Sequence, residues 1–298
     1  MVLRYVWVTE PGQTTCRDRK FSLPAVVPSL REVLQSFSAV IVTGGSSGIG
    51  KSFIESAANL HPGLCFCNLS RRVPVINLPQ LKLCHVSCDM GRPEAIERAA
   101  GEVEAWLKRD VPAGRVLLIN NSGFGSYGRF PEPNLQHQLE LLDVNIRGLV
   151  QLTGQLLPAL RTRGGAVLNV ASTAAFQATP YMATYGASKA FVLHWTLALN
   201  EEWKGTGLRA LAVCPGPTAT EFFHRAGLKP GSVADALSQP PDQVVLGALK
   251  ALASRRSVYV PGWKNKLAAA AASLGSKQAS AAIAGRIIGR YRLSQVKA

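Results

Sequence analysis

Acidic side chains are scarce in this chain: 18 aspartates and glutamates stand against 33 lysines and arginines, a formal charge of +15 at pH 7 over 298 residues. The excess base is dispersed and no nucleic-acid-binding module is recognisable, so no nucleic-acid partner is expected. Metal ligands are sparse as well. Among five histidines and six cysteines, Cys65 and Cys67 alternate on a predicted strand, and Cys84, His85 and Cys88 flank another; neither spacing fits a metal site. The cysteines read instead as buried, reduced thiols of a cytoplasmic protein. The first 37 residues contain Pro11, Gly12, Pro24 and Pro28 but lack the apolar stretch of roughly 7 to 15 residues that a secretory signal needs. They are expected to form an N-terminal extension outside the fold. No apolar run is long enough to span a bilayer, and no internal repeat points to a solenoid.

What is abundant is apolar residue, at 47% of the chain, ample for one sizeable core. Short apolar runs alternate with longer helical patterns, as a parallel sheet with crossover helices requires. Strands are expected near residues 39–43, 64–69, 83–87, 115–119, 166–170, 208–213 and 257–260, with helices filling most of the gaps. A single doubly wound domain over residues 38–262 follows, between the extension 1–37 and a tail 263–298. The longest helical stretch, about 135–161, is expected to carry Leu139, Leu142, Ile146, Leu149, Leu152 and Leu156 on one broad face.

Two motifs carry chemistry. Tyr185 and Lys189 stand four apart at the start of a helical pattern and therefore share a face, with Ser172 thirteen residues upstream of the tyrosine. An ammonium beside a phenol favours phenolate and suits acid–base work. Alone, such a pair also occurs on solvated helices, where the lysine merely passes the ring. The second motif is the apolar run Ala39–Val42 leading into Thr43-Gly44-Gly45-Ser46-Ser47-Gly48-Ile49-Gly50 and then a helical pattern. Strand, glycine turn and helix form a diphosphate cradle, because glycines permit close backbone approach and the helix N-terminus offers free N–H groups.

Together these motifs resemble the short-chain dehydrogenase/reductase family, and the resemblance covers about residues 38–262. Thr43–Gly50 is similar to the family's cofactor turn, Asn120-Asn121-Ser122-Gly123 to its Asn-Asn-Ala-Gly segment, and Cys214-Pro215-Gly216-Pro217-Thr218-Ala219-Thr220 to its Pro-Gly turn. Ser122 for alanine is the one departure. The resemblance implies a Rossmann-like doubly wound parallel seven-stranded sheet with helices on both faces, and a catalytic set of Asn145, Ser172, Tyr185 and Lys189. It implies cofactor contacts at Gly44, Ser46, Ser47, Gly48, Ile49, Gly50, Asn121, Ser122, Gly123, Pro215, Gly216, Thr218 and Thr220, with Tyr185 and Lys189 reaching the nicotinamide ribose. Asp89 resembles the family's adenine contact, although it would also serve as a helix cap before Arg92. Asn145 would anchor a proton-relaying water; helix-bend bonding is its other reading. The family also implies that the long helix and the Tyr185 helix form the interface of a homodimer or homotetramer, where ordinary core packing is the alternative.

Cofactor choice rests on charge after the second strand. Ser70-Arg71-Arg72 stand there, with no carboxylate between Leu64 and Cys88. Arginines suit a 2′-phosphate where NAD would need an acid, so NADP(H) is expected. The segments Phe124–Phe130, Ala174–Met182 and Ala219 to about Gln239 would form the substrate region. Their Phe124, Tyr127, Phe130, Phe176, Tyr181, Met182, Phe222 and Phe223 favour an apolar carbonyl or alcohol, while Arg129 and Arg225 keep an acidic group open. The expected function is NADPH-dependent carbonyl–alcohol interconversion with Tyr185 as proton donor. A same-fold epimerase or dehydratase, and a non-catalytic NADPH sensor or scaffold, are the alternatives.

Residues 263–298 hold seven bases and no acid. Their pattern fits one or two basic amphipathic helices. Such a tail could lie on an anionic membrane, making the protein membrane-surface associated, or could pack on the domain, cap the cleft or mediate association.

Overall fold

The computed structural model describes residues 29–228, 238–274 and 276–291. Seven parallel strands form one sheet in the order β3-β2-β1-β4-β5-β6-β7. They are β1 (Phe37–Thr43), β2 (Cys65–Ser70), β3 (Lys82–Ser87), β4 (Arg115–Asn120), β5 (Gly165–Val170), β6 (Leu208–Val213) and β7 (Val258–Tyr259). The expected strands are all present, displaced by at most two residues at an end. Central strands read as continuous apolar runs because both faces are covered. In β1, Ala39 and Ile41 face one core while Val40 and Val42 face the other, the period-two consequence of the pleat.

On the first face lie α3 (Pro93–Arg109) and α5 (Leu149–Arg163), which contribute Ile96, Val103, Leu152, Leu156 and Leu160 to the core. The second face is covered by α2 (Gly48–Leu60) and α8 (Pro241–Ala253), with Phe53, Ile54, Val244 and Leu249 inside. A short helix α1 (Leu30–Gln35) joins them. Its Ser29–Glu32 capping box is closed reciprocally, Glu32 N–H donating to Ser29 Oγ at 3.2 Å and Ser29 N–H to Glu32 Oε2 at 2.6 Å. Leu34 is fully buried. The fold therefore begins before residue 38, because this leucine joins the core that α2 and α8 form on that face of the sheet. Residues 1–28 of the expected extension lie outside the described residues.

The expected helix over 135–161 is interrupted. Helix α4 (Leu135–Leu142) passes into a π-helical turn, Asp143–Gly148, before α5 begins. An extra residue in the turn rotates everything after it by about 100°, so one continuous apolar face cannot form. Leu149, Leu152 and Leu156 are buried, whereas Leu139 is exposed.

Of the remaining helices, the first packs on the sheet beside β6 with Val192 and Leu193 inside, the second stands at the carboxyl ends of the strands and the last two follow the final strand. They are α6 (Ala183–Glu202), α7 (Phe222–Arg225), α9 (Trp263–Leu274) and α10 (Lys277–Tyr291). Part of the tail is thus folded: Ala269, Ala272, Ala284 and Ile288 are buried. Among the described residues no helix is long and apolar enough to cross a membrane.

Candidate active site

A cleft of about 1350 Å³ opens at the carboxyl ends of the strands, where open α/β sheets place their ligands. It exceeds the roughly 300–1,000 Å³ of a single-ligand pocket, room enough in volume for more than one small molecule.

One half is the glycine turn between β1 and α2. Gly44 and Gly48 adopt φ values of 69° and 56°, a region in which a side chain is strained. A Cβ on Gly50 would lie 2.5 Å from both Asn121 Nδ2 and Gly44 O, so the helix approaches the turn as closely as glycine allows. Ser47 precedes α2 without capping it through its side chain, and the first-turn N–H groups have no intrahelical partners. Free N–H groups at a helix N-terminus suit an anion such as a phosphate. Gly44, Ser46, Ser47, Gly48 and Ile49 line the cleft; Gly50 lies behind it as a packing residue.

Side chains on neighbouring strands brace the turn. Thr43 Oγ1 accepts from the N–H groups of Asn121 and Ser122, both at 2.9 Å, and Asn121 Nδ2 donates to Thr43 O and Gly44 O. The sequence reading missed Asn68. Fully buried on β2, it accepts from Gly45 N–H at 2.7 Å, donates to Ser70 Oγ at 2.8 Å and lies 2.9 Å from His85 Nδ1. Its signal was a lone amide in the otherwise apolar run Leu64–Leu69.

Arg72 Nη2 reaches to 3.4 Å from Ser47 Oγ, which puts one guanidinium at the mouth of the turn. Arg71 also lines the cleft, its side chain 77% exposed, with Asp89 Oδ2 at 3.9 Å from its Nη1. Asp89 lines the cleft and accepts from Gly91 N–H at 3.0 Å. It does not cap α3, whose first turn is preceded by Arg92.

The other half gathers the candidate catalytic residues. Ser172 begins the 3-10 turn Thr173–Phe176 and accepts from Ala174 N–H at 3.1 Å. Tyr185 and Lys189 share a face of α6, Lys189 Nζ lying 5.9 Å from the tyrosine ring centre. All three line the cleft, together with Gly123, Pro215, Gly216, Thr218 and Thr220. Lys189 Nζ donates to Val170 O at 2.8 Å, and burial of the ammonium lowers its pKa to about 8. Cys214 lies nearby; its own burial pushes the thiol up to about 12.

Asn145 is buried in the π-helical turn and does not line the cleft. Its Oδ1 accepts from Phe124 N–H at 3.1 Å while its Nδ2 donates to Phe124 O and to Ser188 Oγ, both at 3.0 Å. Ser188 Oγ in turn donates to Tyr185 O at 2.7 Å. The unwound turn thus aims one amide at both the Gly123–Phe124 loop and the tyrosine helix. Ser188, hidden inside the Tyr–Lys segment, was not anticipated.

Of the expected substrate-region aromatics, Phe124, Tyr127, Phe222 and Phe223 line the cleft with Met182. The Phe222 ring centre is 5.5 Å from that of Tyr185. Phe130 and Phe176 do not line it: Phe130 is exposed, and Phe176 packs beneath the 3-10 turn against Val192 and its neighbours. Arg225 does, but it is paired with Glu221 one turn before it, so that rim carries little net charge. Residues 229–237 of the expected substrate region lie outside the described residues. The tail supplies a wall the sequence reading left open: Asn265, Ala269 and Ala272 of α9 and Ala284 and Ile288 of α10 face the cleft.

Comparison with known proteins agrees with this geometry. Over 187 residues the chain is 33% identical to an uncharacterized oxidoreductase, YbbO, of Escherichia coli K12, covering 62% of this chain and 67% of that one. A short-chain dehydrogenase from Sphingobium yanoikuyae in complex with NADPH superposes with a TM-score of 0.63 at 26% identity, covering 88% of this chain and 97% of that one. A family relative from Burkholderia phymatum in complex with NAD gives 0.66 at 19% identity, covering 79% and 92%. The family pattern described as short chain dehydrogenase matches residues 38–230. With its parallel sheet, glycine turn and nucleotide-sized cleft, this chain belongs to the short chain dehydrogenase family, as an oxidoreductase with a Rossmann-like fold.

Proposed function

We propose that the protein is an NADPH-dependent reductase of apolar ketones or aldehydes, able to run in reverse on the corresponding alcohols. The observation that carries this reading is one cleft in which Ser172, Tyr185 and Lys189 meet a wall of aromatic and alanine side chains. Bound NADPH would supply hydride to the carbonyl carbon. Tyr185 then gives its phenolic proton to the carbonyl oxygen, and Ser172 hydrogen-bonds that same oxygen as charge develops on it. Lys189 would support the tyrosine through its positive charge and would hold the nicotinamide ribose.

Gly44–Ile49 would hold the diphosphate, Asp89 the adenine side, and the Pro215–Thr220 segment the nicotinamide side. Arg72 supports NADPH over NADH, because its guanidinium stands at the turn where a 2′-phosphate would project. Hydrophobicity of the substrate is supported by Phe124, Tyr127, Met182 and Phe222, and by the pairing of Arg225 with Glu221, which offsets the arginine's charge. The reading includes self-association as a homodimer or homotetramer, for which Leu139 on α4 and Phe191, stacked on Trp195 on α6, offer exposed apolar surface.

The test is NADPH oxidation against ketones and aldehydes graded in hydrophobicity, run with wild type and Tyr185→Phe. Turnover should rise with hydrophobicity and fall by at least about a thousandfold in the variant, with NADPH affinity kept within a few-fold. Full turnover by Tyr185→Phe would overturn the proton-donor role. NADPH binding with no turnover of any carbonyl would make the protein a nucleotide sensor instead.

A further inference from the structure

We infer that the outward face of α9, with the adjoining face of α10, is a docking surface for an anionic lipid bilayer. The argument begins with helical geometry. At about 100° per residue, Trp263, Leu267 and Leu274 fall within an arc of about 40° on α9. Ala269 and Ala272, buried against the cleft, lie on the opposite side. The inner face of this helix is satisfied by the protein while its largest apolar side chains point away from it.

Those side chains are strongly exposed. Trp263, Leu267 and Leu274, with Ile283 and Ile287 one turn apart on α10, are 55 to 89% accessible. Exposed apolar residues of this size, three in one stripe of α9 and two one turn apart on α10, mark a surface that meets something apolar. Lys264 and Lys266 flank the α9 stripe on either side, and Arg286 lies next to the α10 pair; all three are exposed. Lys264 Nζ sits 5.8 Å from the Trp263 ring centre, so indole and ammonium occupy the same level.

Charge selects the occupant. Residues 263–298 hold seven bases and no acid, a composition that repels a second copy of the same surface and matches anionic headgroups. A stripe of tryptophan and leucines bordered by lysines has the pattern of a helix lying in a membrane interface, which sets ammonium groups at headgroup level and apolar side chains below. Ile287 both lines the cleft and is exposed, so docking would bring the cleft mouth toward the lipid. The docking does not depend on the activity proposed above.

The test is flotation of the full-length protein with phosphatidylcholine vesicles, with and without phosphatidylserine, at low and high salt. Binding should require phosphatidylserine and weaken with salt as the Debye length shortens. The combined substitution Trp263→Ser, Leu267→Ser and Leu274→Ser should lower it at least about tenfold, with thermal unfolding and NADPH affinity unchanged. A second variant, Lys264→Gln with Lys266→Gln and Arg286→Gln, touches only exposed polar positions and should abolish the phosphatidylserine requirement along with most binding. The inference falls if the full-length protein stays with buffer, if the serine variant floats as well as wild type, or if that variant instead dissociates an oligomer in light scattering. NADPH turnover measured alongside separates failure of docking from failure of the reductase reading.

Discussion

Lys189 shows what burial does to a single charged group. Its ammonium is inside the protein with one carbonyl partner, and its pKa falls from the usual lysine value to about 8. Below that pH both folded and unfolded chains hold the proton, and the folded state carries the full cost of the buried charge. Between pH 8 and about 10.4 the unfolded chain binds more protons than the folded one, so stability rises with pH. Without nucleotide, wild type should therefore gain about 3 kcal/mol on Lys189→Met across that window, measured by urea unfolding at several pH values. A constant difference would mean that the ammonium is not desolvated. Arg72 acts at the same scale. Removing a charge-assisted hydrogen bond costs about 1.5–3 kcal/mol, so Arg72→Ala should raise the KM for NADPH by roughly ten- to a hundredfold and leave that for NADH nearly unchanged. Arg71, 77% exposed at the same cleft and already 3.9 Å from the Asp89 carboxylate, should matter less.

At the level of elements, the site depends on junctions more than on the elements themselves. The glycine turn is held by Asn68 from β2 and Thr43 from β1, and Asn145 ties the Phe124 loop to α6. Asn68→Ala would remove the acceptor for Gly45 N–H and one partner each of Ser70 and His85, while Ser70 keeps its bond to Arg72 O. Leaving the buried Gly45 N–H unpaired costs about 1–3 kcal/mol, so the variant should unfold at lower urea concentration and bind NADPH more weakly; unchanged affinity would show that the turn holds itself. The turn, the Tyr–Lys pair and the seven strands were legible because glycine, aromatic and apolar patterns are local. Asn68, Ser188 and the π-helical turn were not. A lone amide in an apolar strand says nothing about its partner 23 residues away, and an extra residue in a helix carries no local mark of its own, although it turns the face that follows by about 100°.

For the whole molecule, the cleft is assembled from parts far apart in the chain: the turn near residue 45, the π-helical turn near 145, and a tail beyond 263. Since Ala272 of the tail faces the cleft, Ala272→Phe should raise the KM for bulky apolar carbonyls several-fold while sparing small ketones, at a stability cost of about 1–3 kcal/mol. Equal effects on both substrate sizes would place the tail away from the substrate. The sequence by itself determined the parallel sheet, the dinucleotide turn, the candidate Ser172–Tyr185–Lys189 set and the preference for arginine where a 2′-phosphate would sit, since each is written in adjacent residues or a fixed short spacing. Only the tertiary structure decided that α1 completes the core, that Phe130 and Phe176 stay out of the cleft, and that the tail walls the cleft with its alanines while turning its tryptophan and leucines to solvent. Those outcomes depend on which face of an element meets a distant partner, and contacts across such distances are absent from local patterns.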